Sequence, residues 1–220
     1  MAQRGNIDTF KSNVYSDFAR PNLFQVDINF PTDIGVDGAA ALKTLGNFVV
    51  RAANLPASQI GVVEVPFRGR VLKLAGDRTF EPWTITIQND SGFKLRTAFE
   101  TWMQKIQEYD ENYTAVATST TSTSNTVGYF ADMDVHQLSR NEKGTASGTT
   151  GGQDTSHKVI KSYKFFQCFP SNIAAIDLDF GNNDAVEEFT VELQVQYWKP
   201  TAVASLGFQT HLNREGTIEI

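Results

Sequence analysis

The chain has 220 residues, 40% of them hydrophobic, and a formal net charge of -6. That length fits one domain, or one large domain with insertions, and the acidic balance argues against a protein that coats nucleic acid, which is normally basic. A single cysteine excludes an internal disulfide framework, and no apolar run approaches the roughly 20 residues that span a bilayer.

Residues 1–21 are polar, end in Arg20-Pro21 and read as an arm. Arg4, Asp8 and Lys11 interrupt any signal-peptide core, so folding in a cytoplasm is expected. Residues 23–30 alternate as a half-buried strand does, with Phe24, Val26, Ile28 and Phe30 on one face and Gln25, Asp27 and Asn29 on the other. A short helix is expected over 36–46, capped by Asp37 and stopped by Gly46. Strands follow at 47–53, 59–66, 70–74 and 83–88; Asn54-Leu55-Pro56 separates the first two, the third follows Arg68-Gly69, and Gly76-Asp77 and Glu81-Pro82 supply turns.

One long helix is predicted at about 92–109. Leu95, Ala98, Phe99, Trp102, Met103, Ile106 and Tyr109 recur at helical spacing and form one apolar stripe. Asp90 or Ser91 can accept a free amide hydrogen bond at its start, and Arg96 and Glu100 sit one turn apart as an ion pair. Two low-complexity stretches, at about 114–126 and 141–157, read as mobile loop insertions.

Between these loops, 127–138 alternates, with Tyr129, Ala131, Met133 and Val135 inward and Asp132, Asp134 and His136 outward. The last strands are expected at 158–169, 172–180 and 186–198, the final one setting Val191, Leu193, Val195 and Tyr197 against Glu192, Gln194, Gln196 and Trp198. The sum is a mainly β fold, a sandwich or barrel of antiparallel strands with one packed α-helix.

Chemistry is hard to find in this pattern. His136, His157 and His211 have no zinc-site spacing, and one cysteine cannot complete a site. Cys168 lies in a strand without a base near it in sequence, so it reads as a small buried apolar residue. Asp177, Asp179 and Glu188 match positions 1, 3 and 12 of a calcium loop, but Gly181 and Asn182 occupy positions 5 and 6, where a ligand and a glycine belong. A turn between strands explains Gly181-Asn182-Asn183 better. The glycines at 144–152 lack the Gly-Lys-Ser/Thr ending of a phosphate cradle. No catalytic set, metal site or cofactor is expected, and the chain reads as a non-enzyme that works by assembling with copies of itself.

One block is specific: Val65-Pro66-Phe67-Arg68-Gly69-Arg70-Val71-Leu72-Lys73-Leu74-Ala75-Gly76-Asp77-Arg78-Thr79-Phe80-Glu81-Pro82-Trp83, continuing through Asn89-Asp90 to Phe99-Glu100 and Trp102-Met103. A second runs from Lys161-Ser162-Tyr163-Lys164-Phe165 through Cys168-Phe169-Pro170 and Ala175-Ile176-Asp177-Leu178-Asp179 to Glu187-Glu188-Phe189-Thr190-Val191 and Tyr197-Trp198. In this order the blocks resemble the tail tube proteins of contractile-tailed (myovirus-type) bacteriophages.

The resemblance implies a tail-tube or type VI secretion tube-like fold, with a β-domain over 22–200 after the N-terminal arm at 1–21, and a C-terminal segment at 201–220. It implies a structural virion protein of the tail, assembled in the host cytoplasm. Its copies would form hexameric rings stacked into a hollow tube that conducts DNA into the host. Partners would be the tail sheath, baseplate and tail terminator proteins, with tape-measure protein and genomic DNA passing through the lumen without specific binding.

Arg68, Arg70, Lys73, Asp77 and Arg78 are candidates for contacts between subunits or rings, because so specific a charged block is unusual on a mere solvent face. Asp132, Asp134, Glu192, Gln194 and Gln196 oppose the core faces of their strands and are candidates to face the lumen. Alternatives are a type VI secretion-like tube, a baseplate protein that starts tube growth, or a carbohydrate-binding β-sandwich using Trp83 and Trp198 as a platform.

Overall fold

The computed structural model describes residues 7, 10, 18–31, 39–111, 113–114, 128–140, 157–181 and 183–201. In chain order they form β1 (Phe24–Asp27), α1 (Ala39–Val49), β2 (Val50–Ala53), β3 (Ser58–Phe67), β4 (Arg70–Phe80), β5 (Trp83–Gln88), α2 (Lys94–Ile106), β6 (Ala131–Leu138), β7 (Val159–Ile173), β8 (Glu188–Gln194) and β9 (Tyr197–Thr201). The mainly β class is as expected. Hydrogen-bonded order in the main sheet is β1-β6-β7-β8-β5-β2, with β9 also pairing β7, while β3 and β4 form a sheet of their own. The expected cap Asp37, most of the N-terminal arm and C-terminal segment, and nearly all of both low-complexity stretches lie outside the described residues.

The chain divides into two compact units, one of Met1–Gln25, Val135–Tyr163 and Pro200–Ile220, the other of Val26–Asp134 and Lys164–Lys199. The second holds most of the buried apolar residues. On β5 and β8 the alternation is clean: Trp83, Ile85 and Ile87 are buried opposite Leu193, Val191 and Phe189, which are also buried. Helix α2 lays Leu95, Ala98, Phe99 and Trp102 into this core, where Phe30 meets Phe99 and Trp102 edge-on at centroid distances of 5.2 and 5.8 Å. Trp83 stacks on Phe165 at 4.6 Å. Each buried indole has a partner for its N–H: Trp83 Nε1 donates to the Asn54 carbonyl and Trp102 Nε1 to that of Tyr129, both at 2.8 Å. Such ties are what allow tryptophan in a core.

Helix α1 runs through Gly46 rather than ending there. A Cβ at Gly46 would stand 3.3 Å from Ile28 Cδ1, so this glycine serves close packing and not termination. The strand expected from 47 therefore starts only at Val50. Helix α2 begins two residues later than expected because Phe93 adopts a left-handed conformation (φ 51°), and the Asp90 carboxylate accepts the Lys94 N–H at 3.0 Å. It ends at Ile106; Gln107 turns extended and bridges Thr114, which leaves Tyr109 exposed off the end of the predicted stripe. The acidic Asp110-Glu111 pair also disfavours continuing a helix whose C-terminus is already partially negative. The expected Arg96–Glu100 pair is present at 2.8 Å.

Other expectations change. Asp27 and Gln25 were placed on a solvent face, but both are buried, and Asp27 pairs with Lys43 of α1 at 3.3 Å. Strand β7 continues to Ile173, and the strand expected over 172–180 is replaced by an irregular segment, since among the described residues Leu178 and Phe180 find nothing to pack against. The strand expected over 186–198 breaks at 195–196, between β8 and β9.

In the first unit, Gln137 Nε2 donates to the carbonyls of Arg20 and Leu23, at 2.6 and 2.9 Å. His136, expected to point outward, is instead buried, with Nδ1 2.7 Å from Ser162 Oγ. A buried imidazole needs such a partner, and period-2 patterning alone does not reveal it.

Candidate assembly interface

Strands β3 and β4 form a long two-stranded ribbon with a tight turn. Phe67 pairs with Arg70, leaving Arg68 and Gly69 as a two-residue loop. Both have positive φ, 44° and 83°, which is the backbone a primed hairpin turn requires and the reason glycine suits its second position. The register then fixes two faces, because directly opposed residues share a side. Val63 faces Leu74, Val65 faces Leu72, and Phe67 faces Arg70 on one side. Val62–Ala75, Glu64–Lys73 and Pro66–Val71 alternate on the other.

The first face is apolar and exposed. Val63, Val65, Phe67, Leu72 and Leu74 all remain in solvent, Phe67 at 67% and Leu72 at 57%. The second face carries the Glu64–Lys73 ion pair at 3.7 Å, which contributes little at such exposure. An isolated two-stranded hairpin is marginal in water. This ribbon is anchored at its base, where Phe80 meets Trp198 edge-on at 6.2 Å and the Glu81 N–H bonds the Ala57 carbonyl.

All five charged interface candidates lie on this ribbon. Arg68 is in the turn, its guanidinium carbon 5.4 Å from the Phe67 ring centroid, and Arg70 closes the turn. Lys73 pairs with Glu64, Arg78 lies opposite Ile60, and Asp77 sits at the bulge between Ile60 and Val62. Sequence reasoning picked these charges and missed the apolar face beside them. The signal was available: two β-branched and leucine-rich runs separated by Arg68-Gly69, with no other apolar element assigned to cover them.

The lumen candidates lie on a different surface, the main-sheet face opposite the core. Asp132 and Asp134 alternate with buried Ala131 and Met133 on β6, and Glu192 and Gln194 with buried Val191 and Leu193 on β8. Gln196 is displaced into the exposed bend between β8 and β9. Thr84, Thr86 and Gln88 of β5 face Glu192, Thr190 and Glu188.

The acidity of this face is partly neutralised. Lys164 Nζ is 3.3 Å from Asp132, and Arg51 binds the Glu188 carboxylate, 2.6 Å from Oε1. Asp132 also accepts the N–H of Gln167, a residue within β7 held at φ 54°. Lys164 and Lys199 lie over the Phe166 ring at 5.2 and 5.8 Å.

The suspected chemical groups are placed as follows. Burial first, then the charges of Asp132 and Asp134, pushes the Cys168 thiol well above its ordinary range and keeps it protonated. Glu188 is engaged by Arg51, and Asp179 Oδ1 accepts the Gly181 N–H at 2.9 Å, a local turn. Among the described residues, no three His, Cys, Asp or Glu side chains are placed to hold a metal ion. No helix among them is long and apolar enough to cross a membrane. Trp83, offered above for a sugar platform, is fully buried.

Residues 19–201 match the family described as phage tail tube protein. The chain is 28% identical over 183 residues to tail tube protein gp19 of Enterobacteria phage T4, covering 83% of this chain and 92% of that protein. It is 27% identical over 176 residues to the tail tube protein of Serratia phage KSP90, covering 80% and 84%. Among solved structures it shares its fold with the anti-feeding prophage tube-terminating cap, at TM-score 0.53, 12% identity and coverage of 86% and 93%. A chain of the anti-feeding prophage baseplate is similar at TM-score 0.52, 15% identity and coverage of 86% and 99%. With a family match spanning the main sheet, α2 and the exposed ribbon, the chain belongs to the phage tail tube protein family.

Proposed function

We propose that this chain is the repeating subunit of the inner tube of a contractile phage tail, and that it acts through assembly without chemistry. Copies form hexameric rings that stack into a hollow tube, and the tube conducts DNA into the host on ejection. The observation that carries this reading is the β3–β4 ribbon, whose apolar face has no cover among the described residues. Fully burying a Val, Leu or Phe side chain is worth about 1.5–3 kcal/mol. Burying the exposed part of five such side chains on one face favours association and offsets part of its entropic cost. Stacking requires a heterologous contact, one surface of a copy meeting a different surface of the next, and a projecting ribbon suits that role.

The charged residues Arg68, Arg70, Lys73, Asp77 and Arg78 then set register at the contact between subunits or rings. Asp132, Asp134, Glu192, Gln194 and Gln196 face the lumen, where carboxylates and amides let DNA slide, since phosphate binding rests on Lys and Arg. Sheath, baseplate and terminator proteins are the outer and end partners. The relatives with solved structures include a tube-terminating cap and a baseplate, which supports placing such partners beside this fold.

Electron microscopy of the purified chain and of its Val65→Asp variant tests the reading. Rings or tubes are expected from the natural chain and monomers from the variant. A natural chain that stays monomeric at every concentration, or a variant that still builds tubes, overturns it.

A further inference from the structure

The ribbon needs a complementary surface, and its charge narrows the search. Over Ser58–Phe80 four basic residues (Arg68, Arg70, Lys73, Arg78) stand against two acidic ones (Glu64, Asp77), leaving +2 in a chain of net -6. The surface that receives it should therefore be acidic, apolar and open.

Several exposed apolar places lie outside the ribbon among the described residues; Ile7, Phe10, Phe18, Leu55 and Phe93 have no cluster of acidic residues beside them in sequence. Phe48 is 82% exposed, but no acidic residue lies between Gly38 and Val63 to receive a basic ribbon. Tyr109 and Tyr113 lie among Glu108, Asp110 and Glu111, but a phenol is amphipathic and sits comfortably in water. The strongest is the irregular segment between β7 and β8. It presents Leu178 at 84%, Phe180 fully exposed and Val186, side chains without any polar handle. Asp177, Asp179 and Asp184 are interleaved with them, and no basic residue lies between Ala174 and Val186.

We infer that the β3–β4 ribbon of one copy docks on the Leu178–Phe180–Val186 segment of a second copy, its apolar face against those side chains and Arg68 and Arg70 against Asp177 and Asp184. The inference rests on the ribbon being an assembly surface, as proposed above, and adds the surface it meets. Both halves are exposed in the single chain, and each supplies what the other lacks: a positive tip with an apolar face, and a negative segment with an apolar crest. Opposite charge sets the register, and like charge there suppresses the contact.

A mixing experiment tests the pairing. Two variants are made, Arg68→Glu with Arg70→Glu, and Asp177→Lys with Asp184→Lys, and thermal unfolding checks that each folds. All four side chains are exposed, so both melt like the natural chain. Alone, each assembles at least about tenfold less than the natural chain, read by sedimentation and electron microscopy. Mixed in equal amounts, they assemble again, because the reversed ribbon of one meets the reversed segment of the other, and the two unaltered halves also meet.

If the ribbon variant alone assembles normally, the ribbon is not an assembly surface and both readings fall. If it is defective but mixing restores nothing, or if the segment variant assembles normally, only the docking partner is wrong. Restoration instead by Asp110→Lys with Glu111→Lys assigns the ribbon to the Tyr109–Tyr113 loop and overturns this inference.

Discussion

The main sheet and the β3–β4 ribbon are built from the same residue types and meet opposite fates. Leu193 on β8 is 0% exposed and Leu72 on β4 is 57% exposed, though both sit in long strands paired in regular antiparallel register. The difference is what lies over them. The buried face of α2, with Arg96 over the Phe189 ring of β8, and the stacked pair Trp83–Phe165 belong to a core that is completed within one chain. Nothing among the described residues covers Val63, Val65, Phe67, Leu72 and Leu74. Strand propensity therefore fixes local geometry in both regions, and only packing decides which of them stabilises the monomer.

The largest test of that contrast is Trp83→Ala. It removes a fully buried indole that stacks on Phe165, and should cost about 3–5 kcal/mol in denaturant unfolding of the monomer. A loss below about 1 kcal/mol would mean that the core of the larger unit is not where stability resides.

Leu72→Ala should do the reverse. Monomer stability should stay within about 0.5 kcal/mol, as for an exposed site. Association should weaken by about 2 kcal/mol, roughly thirtyfold in the concentration needed for assembly, since about three methylene equivalents of apolar burial are lost. A strongly destabilised monomer would show that the ribbon folds back onto its own chain.

The smallest effect concerns the helix that covers the core. Asp90→Ala removes the carboxylate that accepts the Lys94 N–H and should cost about 1 kcal/mol of monomer stability, with assembly unchanged once the chain is folded. An assembly defect larger than the stability loss would place the start of α2 in a contact between copies.

Much of the sheet was legible because alternation and turn chemistry are local. Trp83–Gln88 was read from its Trp-Thr-Ile-Thr-Ile-Gln pattern with both ends correct, and the α2 stripe gave the four helical side chains that are buried. Gly76-Asp77, expected as a turn after a strand at 70–74, instead lies inside β4, which continues to Phe80. What failed depends on non-local packing. Gly46 looks like a helix stop until Ile28 is placed against it. His136 looks solvent-facing until Ser162 is brought beside it. Residues 172–180 alternate as a strand should, yet Leu178 and Phe180 have no layer to join among the described residues.

The candidate site was half legible. Its charged residues are conspicuous in sequence, whereas its apolar face becomes visible only once the register puts Val63, Val65 and Phe67 on the same side as Leu72 and Leu74. The family resemblance carried by these blocks is the family that the chain matches over 19–201.

The arginines at the ribbon tip have a consequence for the chain before it finds a neighbour. A paired ribbon with an oily side and two open edges is a template on which identical copies can stack into disordered aggregates. Arg68 and Arg70 stand at the tip of every copy, so two tips that approach each other meet like charge and part. The same two guanidinium groups that would guide a correct contact thus disfavour a tip-to-tip one.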